Sequence, residues 1–196
     1  MELIGLYLVA AGLLFVAGVA KARRPDDTAR ALSALFARTP GGRDAVPLRF
    51  ARRLVRAGAS AEAALGLTAL LLPRPVTAAL VAASYAAFGA VVAYARWRGG
   101  ALATCGCFGR PDTPPTTVHL LLDLVLAGAA AVVAVAAPAD GTLGGELARQ
   151  PWAGFPLLFV SAVGLWLSLL ALSALAALEG ARGLVRPMPT NGSGGS

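Results

Sequence analysis

Leu3-Ile4-Gly5-Leu6-Tyr7-Leu8-Val9-Ala10-Ala11-Gly12-Leu13-Leu14-Phe15-Val16-Ala17-Gly18-Val19-Ala20 runs without a single charge. A bilayer core about 30 Å thick needs roughly 20 apolar residues of α-helix, so this stretch is long enough to cross one. Four more stretches of the same kind follow, at about 57–72, 76–95, 118–137 and 155–178. Across the 196 residues, 57% are hydrophobic and 14% charged. A soluble domain of this length could not hide that much apolar surface, so the bilayer is the expected solvent. The fold expected is an all-α integral membrane protein. It has a four-helix transmembrane bundle core, a fifth C-terminal transmembrane helix, and interfacial amphipathic helices between spans one and two.

The limits of the spans are marked by helix punctuation. Met1-Glu2-Leu3 has no basic region of the kind that opens a signal peptide, so span one reads as a retained helix. Span two is the shortest and carries Glu62. Pro73-Arg74-Pro75 forces a tight turn between spans two and three. Thr116 or Thr117 can cap span four, and Pro151 and Pro156 mark the start of span five. Between spans one and two, Asp26, Asp27 or Thr28 can cap a short helix with Leu32, Leu35 and Phe36 on one side. A second basic amphipathic stretch, Pro47 to Arg56, runs into span two. Residues 1–187 form one helical domain, with its core at about 3–137, and residues 188–196 read as an unstructured linker. On span five, Ser161, Gly164 and Ser168 form a small-residue packing face. Tyr94, Trp97 and Trp152 have the character of interface-belt aromatics.

The net charge of +7 is not a nucleic-acid signature, because the arginines cluster beside apolar spans. Ten Lys/Arg lie in 21–56, three in 96–110 and two in the tail, all on one side of the membrane if the spans alternate; Arg74 and Arg149 alone lie on the other. The positive-inside rule then makes this a multi-pass plasma-membrane protein with its N-terminus outside. The loop between spans three and four falls on the cytoplasmic side.

That loop holds the only two cysteines of the chain, in Cys105-Gly106-Cys107-Phe108-Gly109-Arg110. Ala, Leu and Val do the packing elsewhere, so two thiols one residue apart point to chemistry. They can oxidise to each other, hold a soft metal or attack a disulfide. A disulfide across one residue closes a small strained ring, which suits transfer over permanent bracing, and Gly106 eases that ring. Arg110 and the N-terminus of span four favour a thiolate. Phe108 and Gly109 can form an apolar lid and a turn.

Alternation of the spans adds a second inference. The end of span one, the start of span two and the start of span four share the membrane face of the cysteine loop. Those places carry Lys21, Glu62 and the pair His119/Asp123. Glu62 sits among Ala59, Ala63 and Gly66, where a carboxylate must pair, neutralise or reach water. Lys21 is its expected partner, as an ion pair holding two helices, a functional group or both. His119 and Asp123, four apart, share a helix face, so the Asp can orient a His that takes a proton from a thiol. A helix-start His at headgroup level, with an Asp favoured by the dipole, explains the same residues without chemistry.

With these residues in view the chain resembles the MauE family, within the broader DoxX-like membrane proteins. The resemblance rests on Gly18-Val19-Ala20-Lys21, on Glu62, and on Cys105-Gly106-Cys107-Phe108-Gly109 ahead of His119-Leu120-Leu121-Leu122-Asp123. It covers about residues 3–137. It implies a role in maturing a methylamine dehydrogenase beside a thioredoxin-like partner, and hence disulfide handling at Cys105 and Cys107. The first function expected is thiol–disulfide oxidoreduction with a thioredoxin-like protein or a low-molecular-weight thiol, a quinone being an allowed acceptor. The second is binding or transport of Cu, Hg or Zn by Cys105, Cys107 and His119. The third is a non-enzymatic assembly factor.

Overall fold

A computed structural model of the chain describes residues 3–37, 47–97 and 117–184. These are helical, with no strand among the described residues. The elements are α1 (Ile4–Arg23), α2 (Pro25–Ala37), α3 (Leu48–Leu71), α4 (Pro75–Trp97), α5 (Thr117–Ala136), α6 (Leu143–Ala148), a 3₁₀ turn (Pro151–Gly154) and α7 (Phe155–Leu184). Among the described residues, α1, α3, α4 and α5 each contain a stretch long and apolar enough to cross a membrane. The fifth expected span is the 30-residue α7, whose described side chains carry an apolar stretch over Phe155–Ala171.

The bundle is built around α1. It packs most extensively on α3 and also touches α7, α5 and α4, while α4 pairs mainly with α5. In α1, 67% of the apolar window is buried, against 28% or less in α3, α4 and α5. Tyr7, Leu13 and Leu14 of α1 meet Val81 of α4 and Leu126 of α5 in one apolar core. The outer faces are apolar too: Leu80, Leu121, Leu124 and Val132 are all exposed. Apolar inside and apolar outside is the pattern of a bundle bathed in lipid.

Close approach between α1 and α3 has a residue-level cause. A Cβ on Gly18 would lie 2.5 Å from the backbone nitrogen of Ala63 and 2.7 Å from the carbonyl oxygen of Ala59. Gly66 of α3 is buried in the same way against Phe15 and Ala11 of α1. Small residues let the two backbones touch, which is how helices gain packing in lipid. Two tyrosine hydroxyls tie the bundle further. Tyr7 donates to the carbonyl of Ala69 at 3.2 Å, and Tyr85 to that of Ala10 at 2.8 Å.

The second expected span begins earlier than hydropathy places it. The basic stretch and span two form one continuous helix, α3, because arginine is a good helix former and only the surroundings change along it. Its first half packs Ala51 and Val55 on Ala29 of α2, and Arg52 pairs with Asp26. The cap expected from Asp26, Asp27 or Thr28 lies one turn too late. Helix α2 starts at Pro25, whose fixed φ suits the first helical position, and both aspartates sit in the first turn, where the dipole favours them. The expected apolar side of α2 (Leu32, Leu35 and Phe36) lies outside the described side chains. The turn at Pro73 forms as the sequence predicts, with Thr77 accepting from the Arg74 amide at 3.1 Å. Helix α7 lays Ser161 against the Gly5 carbonyl, while Gly164 faces Val9.

Candidate functional site

Alternation puts the end of α1, the middle of α3, the end of α4 and the start of α5 at one end of the bundle, and the polar side chains gather there. Lys21 is 8% exposed, and its ammonium pairs with the Glu62 carboxylate across the Gly18 crossing. The same ammonium lies 4.9 Å from the centre of the Phe88 ring of α4. A desolvated cation gains from the negative face of an aromatic ring, so Phe88 is a second partner of Lys21. Tyr85 packs edge-on against Phe88, the ring centres 5.9 Å apart.

Helix α5 supplies the other two expected residues. His119 and Asp123 lie one turn apart and line, together with Lys21, Tyr85 and Phe88, a cavity of about 50 Å³ between α1, α4 and α5. His119 is buried. Gly89 of α4 packs beside Asp123: a Cβ there would lie 3.6 Å from the Asp123 Cβ, an ordinary contact. The cavity is large enough to hold water. What the arrangement offers is a cation, one carboxylate and an imidazole on the wall of a small, mostly apolar space bordered by Leu13, Leu14 and Leu126, with Glu62 joined to it through Lys21. Groups of this kind inside a bundle can hold and pass protons.

The four polar residues foreseen in the sequence are therefore brought together. Cys105, Cys107, Phe108, Gly109 and Arg110 lie outside the described residues. The segment that carries them joins Trp97 at the end of α4 to Thr117 at the start of α5. Both of those ends belong to the His119 face. Among the described residues, no group of three or more His, Cys, Asp or Glu side chains is placed to hold a metal ion.

Two features escape a reading of the sequence. Phe88 and Tyr85 look like ordinary span residues, and only the rotation of α4 shows that Phe88 lies under Lys21 with Tyr85 packed on it. At the opposite end of the bundle, Glu146 of α6 is 2% exposed and accepts from Arg149 at 2.8 Å. Its other carboxylate oxygen is buried with no hydrogen-bond partner among the described residues. It borders a cavity of about 290 Å³ beside Leu3, Pro73 and Val133. The available signal was Thr142, which caps α6 by accepting from the Gly145 amide at 3.1 Å. Gly144 and Gly145 disguise the helix as a loop.

Four bilayer-length helices, with a cluster of ionisable side chains at one end, define a multi-pass membrane protein with a polar site at one membrane face. The chain belongs to the MauE family: the family described as methylamine utilisation protein MauE matches residues 2–136. That match takes in α1 to α5 and ends ahead of α6 and α7. No curated protein and no solved structure matches the chain.

Proposed function

We propose that the chain is a membrane thiol–disulfide exchange protein whose working pair is Cys105 and Cys107. One observation supports this above the others. Lys21, Glu62, His119 and Asp123 converge at the end of the bundle where the cysteine segment is attached. In the reaction, one cysteine thiolate attacks a partner disulfide, forming a mixed disulfide and expelling the partner's first thiolate. The second cysteine attacks that mixed bond and releases the partner as a dithiol. Two electrons pass to the partner, Cys105 and Cys107 end as a disulfide, and the two thiol protons end on the partner's sulfurs. His119, held beside Asp123, is the group that takes and returns those protons. The partner is a thioredoxin-like protein or a small thiol in its disulfide form. Lys21 and Glu62 position this end of the bundle and do not react.

Thiol trapping tests the proposal. Membranes are alkylated with and without reductant, after incubation with an oxidised thioredoxin-like protein. The wild-type pair becomes oxidised, and either Cys105→Ser or Cys107→Ser accumulates a mixed disulfide, because no second thiol remains to release it. His119→Ala slows that capture near neutral pH and matters less at alkaline pH, where the thiol ionises unaided. A pair that resists strong oxidant yet is shielded from alkylation by Cu(I) or Hg(II) refutes the exchange reaction and assigns the thiols to a soft metal. Full function in both serine variants leaves the assembly role instead.

A further inference from the structure

The first half of α3 has a feature that the polar site does not use. Arg49, Arg52, Arg53 and Arg56 follow the spacing of a single helix face and, with Ser60, line an open hollow of about 650 Å³. Among the described residues only one of these guanidinium groups is neutralised: Arg52 pairs with Asp26 of α2. The other α2 carboxylate, Asp27, is taken by Arg30. Among the described residues Arg49, Arg53 and Arg56 have no carboxylate partner. Arg49 also sits in the first turn of the helix, the wrong end for a cation. The first turn of α3 contains no acid, and Pro47 ahead of it offers no side-chain cap. Cations at a helix N-terminus are opposed by the dipole, whereas an anion there is favoured by the dipole and by the arginines together.

The level of this face in the membrane follows from the α1–α3 crossing. Gly18 meets Ala59 and Ala63 while Gly66 meets Ala11 and Phe15, so the two helices run antiparallel. That register sets the end of α1 at about the level of Arg56, and Arg49, Arg52 and Arg53 extend past it. They lie where the hydrocarbon gives way to headgroups. The neighbouring strip of the same helix exposes Phe50 and Leu54, 60% and 51% accessible, at the same level. A basic strip beside an apolar strip at this depth matches an amphiphile with an anionic phosphate and an acyl chain. Guanidinium groups hold phosphate oxygens in pairs of parallel hydrogen bonds, which makes arginine the fitting residue.

We propose that Arg49, Arg53 and Arg56 on the outer face of α3 form a binding site for the phosphate of an anionic phospholipid. The site is independent of the cysteine chemistry and sits at the same end of the bundle.

The test uses the full chain, purified in mild detergent, stripped of lipid and titrated with phosphatidylglycerol, cardiolipin or phosphatidylcholine. Bound lipid is counted by native mass spectrometry. The wild type retains the two anionic lipids in preference to phosphatidylcholine. In the triple variant Arg49→Gln/Arg53→Gln/Arg56→Gln that preference falls about 100-fold, at roughly fivefold for each arginine near a lipid surface. Arg74→Gln, at the opposite end of the bundle, leaves it unchanged. Equal retention by the wild type and the triple variant overturns the proposal, as does an equal loss in Arg74→Gln. Inorganic pyrophosphate that binds in calorimetry and displaces the lipid identifies a soluble anion and overturns the lipid assignment. If the triple variant fails to fold, Arg53→Gln alone and the wild-type salt dependence decide. A roughly fivefold loss and weakening with ionic strength are expected, and retention unaffected by both overturns the site.

Discussion

Replacing Gly18 with alanine puts a methyl group where α1 and α3 touch. It would lie 2.5 Å from the Ala63 nitrogen, 2.7 Å from the Ala59 oxygen and 2.9 Å from the Ala63 Cα. Ordinary contact begins at 3.4 Å, and all three atoms are backbone, so no side chain can swing away. The helices must separate by about an ångström, which places the cost near the upper end of overpacking, about 3 kcal/mol. Alanine returns up to about 1 kcal/mol through its better helix propensity. The net loss is about 2 kcal/mol, or about 4–8 °C in the unfolding midpoint of a chain this size. Gly58 and Gly128 supply the control, since a Cβ at either meets nothing within 4 Å. There the propensity gain stands alone, and alanine should raise the midpoint slightly. Thermal unfolding of the purified variants in one detergent, followed by circular dichroism, makes the comparison. A Gly18→Ala protein that melts with Gly58→Ala, or above it, would refute the crossing geometry. The same variant should also loosen the Lys21–Glu62 pair, because that pair spans the same crossing.

Two further outcomes are expected. Lys21→Met strands Glu62 as an unpaired acid inside the bundle and should cost about 3–5 kcal/mol, while Lys21→Met/Glu62→Gln should recover most of it; equal unfolding curves for the single and double variants would remove the pair from the account. In intact cells a membrane-impermeant thiol reagent should fail to label Cys105 and Cys107 from outside, as the arginine bias predicts, and rapid labelling would reverse the orientation.

The helices were legible because each apolar run has nearly the length that a bilayer demands, and because Pro73 and Pro75 leave few places to turn. The Lys21–Glu62 pair was legible for a related reason: an acid among alanines and glycines needs a partner, and alternation of the spans offers one at the right end. The start of α3 was not, because arginines end a hydrophobic window without ending a helix. Phe88 was not, because a phenylalanine that faces lipid and one that lies under an ammonium look the same until α4 is rotated into place. The touch of Gly18 on Ala63 depends on the register of two helices, which neither sequence segment contains alone. Helix α6 lay hidden behind two glycines that a single threonine cap overcomes. The cysteine pair stands out from composition alone, while the proposal that His119 serves it rests on the span order.

The enclosure of α1 has a consequence for how the molecule is made. Its wall of neighbours is translated after it. At about 5–20 residues per second, roughly 50 residues separate the completion of α1 from that of α3, so α1 waits on the order of 2–10 s for its main partner. During that interval Lys21 has no Glu62, and the groove at Gly18 faces whatever the membrane supplies. Helix α1 precedes every helix that encloses it. Its small residues, which serve the finished bundle, are also an open seat for the wrong helix until α3 arrives.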